Sequence, residues 1–122
     1  MDSSGSIQSG NFLKMKEFVI EIFKNIELGP LQTRASLINF NSNLYEIFNF
    51  LNFKDFNNIK SLIENIVYNG GGTNTAAALK LANDVILQEN NGMRPGTMKF
   101  FKNCYILTNV KFTPQKRENA KT

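Results

Sequence analysis

Gly70-Gly71-Gly72-Thr73-Asn74-Thr75 runs directly into Ala76 to Leu87, a series of good helix formers with Ala78, Leu81, Ala82, Val85 and Ile86 on one face. The stretch reads as a loop that opens a helix. Backbone N–H groups at such an entry favour anions, so a phosphate cradle is one reading. No Gly-Lys-Ser/Thr follows and no Gly-x-Gly-x-x-Gly is present, which argues against a nucleotide site. Thr73 and Thr75 are good capping residues for the helix that begins here.

Upstream, Phe56, Ile59, Leu62, Ile63 and Ile66 lie on one helical stripe, which predicts an amphipathic helix from a cap at Asp55 to near Tyr68. Before it, Thr33 to Phe40 and Leu44 to Phe50 read as strands joined by Asn41-Ser42-Asn43, a link short enough for an antiparallel hairpin. Phe12, Met15, Phe18, Val19, Ile22, Phe23 and Ile26 form the apolar face of a first helix that Gly29-Pro30 stops. Downstream, Cys104-Tyr105-Ile106-Leu107-Thr108 is an apolar run of buried-strand type. The order helix, hairpin, helix, helix, strand predicts an α/β layer structure, with helices on both faces of a mostly parallel sheet. Such sheets bind ligands in loops at the carboxyl ends of their strands.

The chain opens with a second hydroxyl-rich loop, Asp2-Ser3-Ser4-Gly5-Ser6. Asp2, Ser4 and Ser6 alternate in a Gly-containing turn, so one carboxylate and two hydroxyls can converge on a point. Hard oxygen donors of this kind suit Mg²⁺ or Mn²⁺ with waters completing the shell. The same composition is also ordinary for turns and helix caps.

Composition removes several classes of function. The 122 residues include eleven Phe and no Trp, with 42% hydrophobic side chains, enough for one domain with a core and too few for two. The absence of His excludes a Ser-His-Asp triad, a Cys-His pair and a His zinc site, and no base of suitable pKa accompanies the serines, so an enzyme is not expected. Cys104 is the one cysteine, in an apolar run, and reads as a buried thiol. Of the +4 net charge, most comes from Lys111, Lys116, Arg117 and Lys121 against Glu118, which predicts a basic polar, disordered tail over 111–122 and no nucleic-acid site. No apolar stretch reaches the roughly 18 residues of a membrane span, and the N-terminus does not resemble a signal peptide.

Taken in order, Asp2-Ser3-Ser4-Gly5-Ser6-Ile7, a hairpin, Gly71-Gly72-Thr73-Asn74-Thr75 opening a helix, and Arg94-Pro95-Gly96 before an apolar strand resemble the type A domains of von Willebrand factor, matrilins and the non-fibrillar collagens. The resemblance covers residues 1–110 and implies a Rossmann-like, doubly wound fold with a metal-ion-dependent adhesion site. By position, the metal ligands it implies are Asp2, Ser4, Ser6, Thr73 and residue 109. The family pattern Leu-Thr-Asp-Gly reads here as Leu107-Thr108-Asn109-Val110, so Asn109 is a degenerate position. Losing that carboxylate is expected to cost on the order of 1.5 to 3 kcal/mol, roughly ten- to a hundredfold in metal affinity.

The family domain also begins with an apolar central strand before the Asp-x-Ser-x-Ser loop, whereas Met1 directly precedes Asp2, so the chain is expected to be a fragment of a longer domain. The implied function is a Mg²⁺- or Mn²⁺-assisted module that binds the acidic residue of a protein ligand, such as collagen or another matrix protein, in an extracellular setting. Two other readings are a degenerate structural copy without metal and an intracellular scaffold domain of the same fold.

Overall fold

The computed structural model describes residues 1–51 and 55–95. The expected strand Cys104–Thr108, Asn109, the Cys104 thiol and the basic tail lie outside the described residues. Among those described, the order is α1 (Ser9–Lys24), β1 (Leu37–Phe40), β2 (Leu44–Phe48), α2 (Phe56–Glu64) and α3 (Thr75–Leu81), with short 3₁₀ turns at Gly5–Ile7 and Glu89–Asn91.

β1 and β2 form the expected antiparallel hairpin, with Phe40 opposite Leu44 and Leu37 opposite Phe48. β1 is shorter than the predicted Thr33–Phe40. Thr33 makes only an isolated bridge with Leu28, and a register irregularity falls between Leu37 and Ile38. Just before β1, the Ser36 hydroxyl donates to the Phe48 carbonyl at 3.0 Å, tying the start of β1 to the end of β2.

On its other edge β1 meets the start of the chain. Asp2 and Phe40 form a parallel bridge, the Phe40 N–H donates to Met1 O at 2.9 Å, and the Ser3 N–H donates to Phe40 O at 2.7 Å. The Met1 ammonium donates to Ile38 O at 2.7 Å. Met1 to Ser3 therefore hold a sheet-edge position, and the first helix starts immediately after the loop they lead into.

The core joins α1 and α2 to the sheet. Phe12, Val19 and Phe23 of α1 and Ile59 and Ile63 of α2 are buried with Met1, Ile7, Phe48 and Ile66 in one cluster. The Phe23 and Phe48 rings meet edge to face at 5.7 Å. α3 packs against β1 and buries Ala78, and Phe40, buried outside the α1–α2 cluster, lies at the end of β1 where α3 begins. The architecture is α/β, with β1 at its centre.

Three local readings need correction. Phe18 is 43% exposed although it shares the apolar composition of its helix. At about 100° per residue it lies about 120° around from Phe12, off the stripe that faces the core. α2 ends at Glu64 and not near Tyr68; Lys16 reaches across from α1 and its Nζ donates to Glu64 O at 2.7 Å and Ile66 O at 2.9 Å, occupying terminal carbonyls. α3 changes after Leu81 into a π turn, Ala82–Ile86, closed by Leu87 N–H to Ala82 O at 2.9 Å. The expected cap is in place, with Asp55 Oδ1 accepting the Asn58 N–H at 2.9 Å. Arg94 folds back, its guanidinium donating to the carbonyls of Pro30 and Gln32 and so holding the turn after α1.

The two phenylalanines of α1 give a direct test. Phe12→Ala is expected to lower unfolding free energy by about 3–5 kcal/mol, and Phe18→Ala by under about 1 kcal/mol, in urea denaturation of the two variants.

Candidate functional site

The first loop is wound by its own side chains. Asp2 Oδ1 accepts the Ser4 N–H at 2.8 Å, an Asx-type turn, and Ile7 N–H to Ser4 O at 3.1 Å closes the 3₁₀ turn behind it. This curvature brings Ser4 Oγ within 3.4 Å of Ser6 Oγ on the turn whose start the Asp2 carboxylate caps. Asp2 and Ser4 are each 1% exposed, whereas Ser6 is exposed, so the cluster is walled by protein and opens at Ser6.

The glycine-rich loop is bonded to this turn through the backbone. Gly5 N–H donates to Gly71 O at 2.8 Å and Gly70 N–H donates to Ser3 O at 2.9 Å. Gly70 and Gly71 have φ of +69° and +76°, a left-handed geometry that costs other residues roughly 1–2 kcal/mol. Their glycine identity is thus a requirement of the loop-to-loop junction. Thr73, two residues beyond Gly71, is exposed on the same loop.

A third segment joins them. Asn41, 8% exposed in the hairpin turn, donates from Nδ2 to Gly70 O at 3.1 Å and accepts the Asn43 N–H on Oδ1 at 2.8 Å. Its carbonyl accepts the Asn74 N–H at 2.8 Å. Asn74 is the cap of α3, its side-chain oxygen accepting the Ala77 N–H at 3.1 Å, a role that the sequence reading gave to Thr73 or Thr75. With the cap supplied by Asn74, the Thr73 hydroxyl is not required at the helix entry.

Two more residues shape the turn. The Tyr68 hydroxyl donates to Ser4 O at 3.3 Å and Gly5 O at 3.1 Å. Gln8, between the 3₁₀ turn and α1, has φ +69° and ψ 149°, a region nearly confined to glycine that costs about 1–3 kcal/mol. It is held there from both sides, by Gln8 N–H to Gly5 O at 3.3 Å and by Phe12 N–H to Gln8 O at 3.0 Å.

Asp2, Ser4 and Ser6 therefore share one turn, with the two hydroxyls 3.4 Å apart, Thr73 lies on the loop bonded to that turn through Ser3 and Gly5, and Asn109 is outside the described residues. The side chains of this set offer oxygen, and a buried carboxylate beside two hydroxyls fits a hard divalent cation. Asn41, Tyr68 and Gln8 escaped the sequence reading, since each belongs to a stretch assigned only to a turn, a helix end or a helix entry.

The geometry has relatives. The sequence model of the von Willebrand factor type A domain matches residues 1–109. The chain belongs to that family. Matrilin-1 of Gallus gallus is 31% identical to the type A chain over 99 residues, 81% of this chain and 20% of matrilin-1. The collagen alpha-4(VI) chain of Mus musculus is 32% identical over 79 residues, 65% of this chain and 3% of the collagen. The chain thus spans a small part of the curated relatives it matches. Among solved structures, proximal thread matrix protein 1 from the mussel byssus, with a zinc-occupied MIDAS motif, aligns with a TM-score of 0.68 at 22% identity, covering 99% of this chain and 33% of that one. That likeness shows the fold. Matrilins and collagen VI are non-enzymatic extracellular matrix proteins.

Removing the amide of Asn41 tests how the three segments are held. Asn41→Ala frees the Asn43 N–H and one acceptor site on Gly70 O, and is expected to lower the unfolding free energy by about 1–3 kcal/mol, measured by chemical denaturation.

Proposed function

We propose that this type A domain is a metal-ion-dependent adhesion module of the extracellular matrix. In this reading Asp2, Ser4, Ser6 and Thr73 hold Mg²⁺ or Mn²⁺, with Asn109 at the degenerate fifth position, and the ligand is a matrix protein such as collagen. The observation that carries it is the Asp2-Ser4-Ser6 cluster, buried at its carboxylate and open at Ser6. The zinc-occupied MIDAS motif of the mussel protein supports a divalent cation in this fold, and the oxygen donor set favours a hard one.

When bound, a divalent cation offers an open coordination position to a Glu or Asp carboxylate of the partner. The chain's own residues prepare that contact. Asp2 supplies the negative charge, and the Ser4 N–H fixes the direction of its carboxylate. The hydroxyls of Ser4 and Ser6 provide neutral oxygen, so the donor set carries one formal charge and leaves excess positive charge for an acidic ligand. Backbone bonds from Gly70 and Gly71 hold the two loops together, reducing the ordering required on binding.

Asn109 favours a second reading, a structural copy that adds spacing or surface without metal, because its amide removes a carboxylate from the implied ligand set. The two readings separate in a thermal melt of the chain with Mn²⁺ against chelator. Metal binding only to the native state is expected to raise stability by about 2.7 kcal/mol at a hundredfold excess over Kd. Asp2→Ala is expected to remove the shift, and Asn109→Asp to tighten binding roughly ten- to a hundredfold. Melts of the wild type and Asn109→Asp that ignore Mn²⁺ would sink the adhesion-site proposal.

A further inference from the structure

We infer that Tyr68 is a positioning residue for the metal-binding turn, setting the geometry of Ser4 and Ser6 through their backbone. The inference rests on the metal-site reading above and adds to it a residue that donates no metal ligand. The Tyr68 ring is anchored against Phe12 of α1, at 5.6 Å and a 45° tilt, and Phe12 is 2% exposed. From that anchor its hydroxyl reaches Ser4 O and Gly5 O at 3.3 and 3.1 Å. These are the same carbonyls that accept the Ile7 and Gln8 N–H groups and so wind the turn carrying both serines.

The short segment from Tyr68 to Gly71 thus grips the first loop repeatedly, through the Tyr68 hydroxyl, the Gly70 N–H to Ser3 O and the Gly71 carbonyl to Gly5 N–H. The phenol is dispensable for satisfying those carbonyls, because each already has a backbone donor. It is dispensable for the ring contact as well, which a phenylalanine would keep. What the hydroxyl adds is a fixed distance between the core helix α1 and the two carbonyls that flank Gly5, those of Ser4 and Gly5. A defect there falls on the placement of the serine oxygens more than on folding.

The test is a direct Mn²⁺ titration of the 122-residue chain, following free Mn²⁺ by its electron paramagnetic resonance signal. Tyr68→Phe is compared with wild type and with Tyr45→Phe, which removes an exposed phenol from β2. Tyr68→Phe is expected to weaken Mn²⁺ affinity roughly three- to tenfold, while its chelator-treated melt stays close to that of Tyr45→Phe. Tyr45→Phe is expected to bind Mn²⁺ like the wild type. Wild-type affinity in Tyr68→Phe overturns the inference and leaves the metal site standing. Failure of Tyr68→Phe to fold also overturns it, since the hydroxyl would then serve stability. An absence of Mn²⁺ binding by the wild type overturns the metal-site reading and this inference with it.

Discussion

Two backbone hydrogen bonds, from Gly5 to Gly71 and from Gly70 to Ser3, join loops that are distant in sequence and adjacent in space. Closing a connection of that length has an entropic cost that grows only slowly with the number of residues enclosed, so a few well-formed contacts can hold it. They are reached from both sides by packed elements. β1 holds Met1 to Ser3 along its edge, and α2 delivers Tyr68 to Gly71 after Lys16 has bonded to its terminal carbonyls. The hairpin turn then closes the arrangement through Asn41.

Seen in this way, the core and the site have different tasks. The Phe12, Val19, Phe23, Ile59 and Ile63 cluster fixes how α1 and α2 lie, each fully buried side chain contributing roughly 1.5–3 kcal/mol. Apart from Met1 and Ile7, which flank the first loop and join that core, the loops add little apolar burial. Their geometry comes from directional bonds, which specify position more sharply than nonspecific burial does. The proposed metal binding would depend on that sharpness, because a carboxylate and two hydroxyls would have to face a common point.

How much of this was legible depended on whether an interaction was local. The Asp55 cap, most of the α1 stripe and the pairing of the hairpin follow from spacing within a few residues, though both strands are shorter than the apolar runs that suggested them. The Asp2-Ser4-Ser6 alternation was legible as a donor set, and its pairing with the glycine loop through the resemblance of the whole order of motifs. Asn41 and Tyr68 were not, because their partners lie far away along the chain and nothing in their immediate sequence names a carbonyl on another loop. Phe18 was placed on the apolar stripe by its spacing of three from Met15, but at about 100° per residue it lies about 120° around from Phe12 and is 43% exposed, so the stripe was read too wide. The shorter β1 was not legible either, because the register irregularity between Leu37 and Ile38 that accompanies its start depends on pairing with the other strand.

Gln8 connects the two regimes. A side chain in a backbone conformation nearly reserved for glycine stores energy at the one peptide stretch shared by the serine turn and the first core helix. Selection for greater heat resistance would find an easy gain by relaxing that residue, and the gain would loosen the lever that couples core packing to the direction of the serine turn. A stabilising change at Gln8 would therefore trade away stiffness between the serine turn and α1.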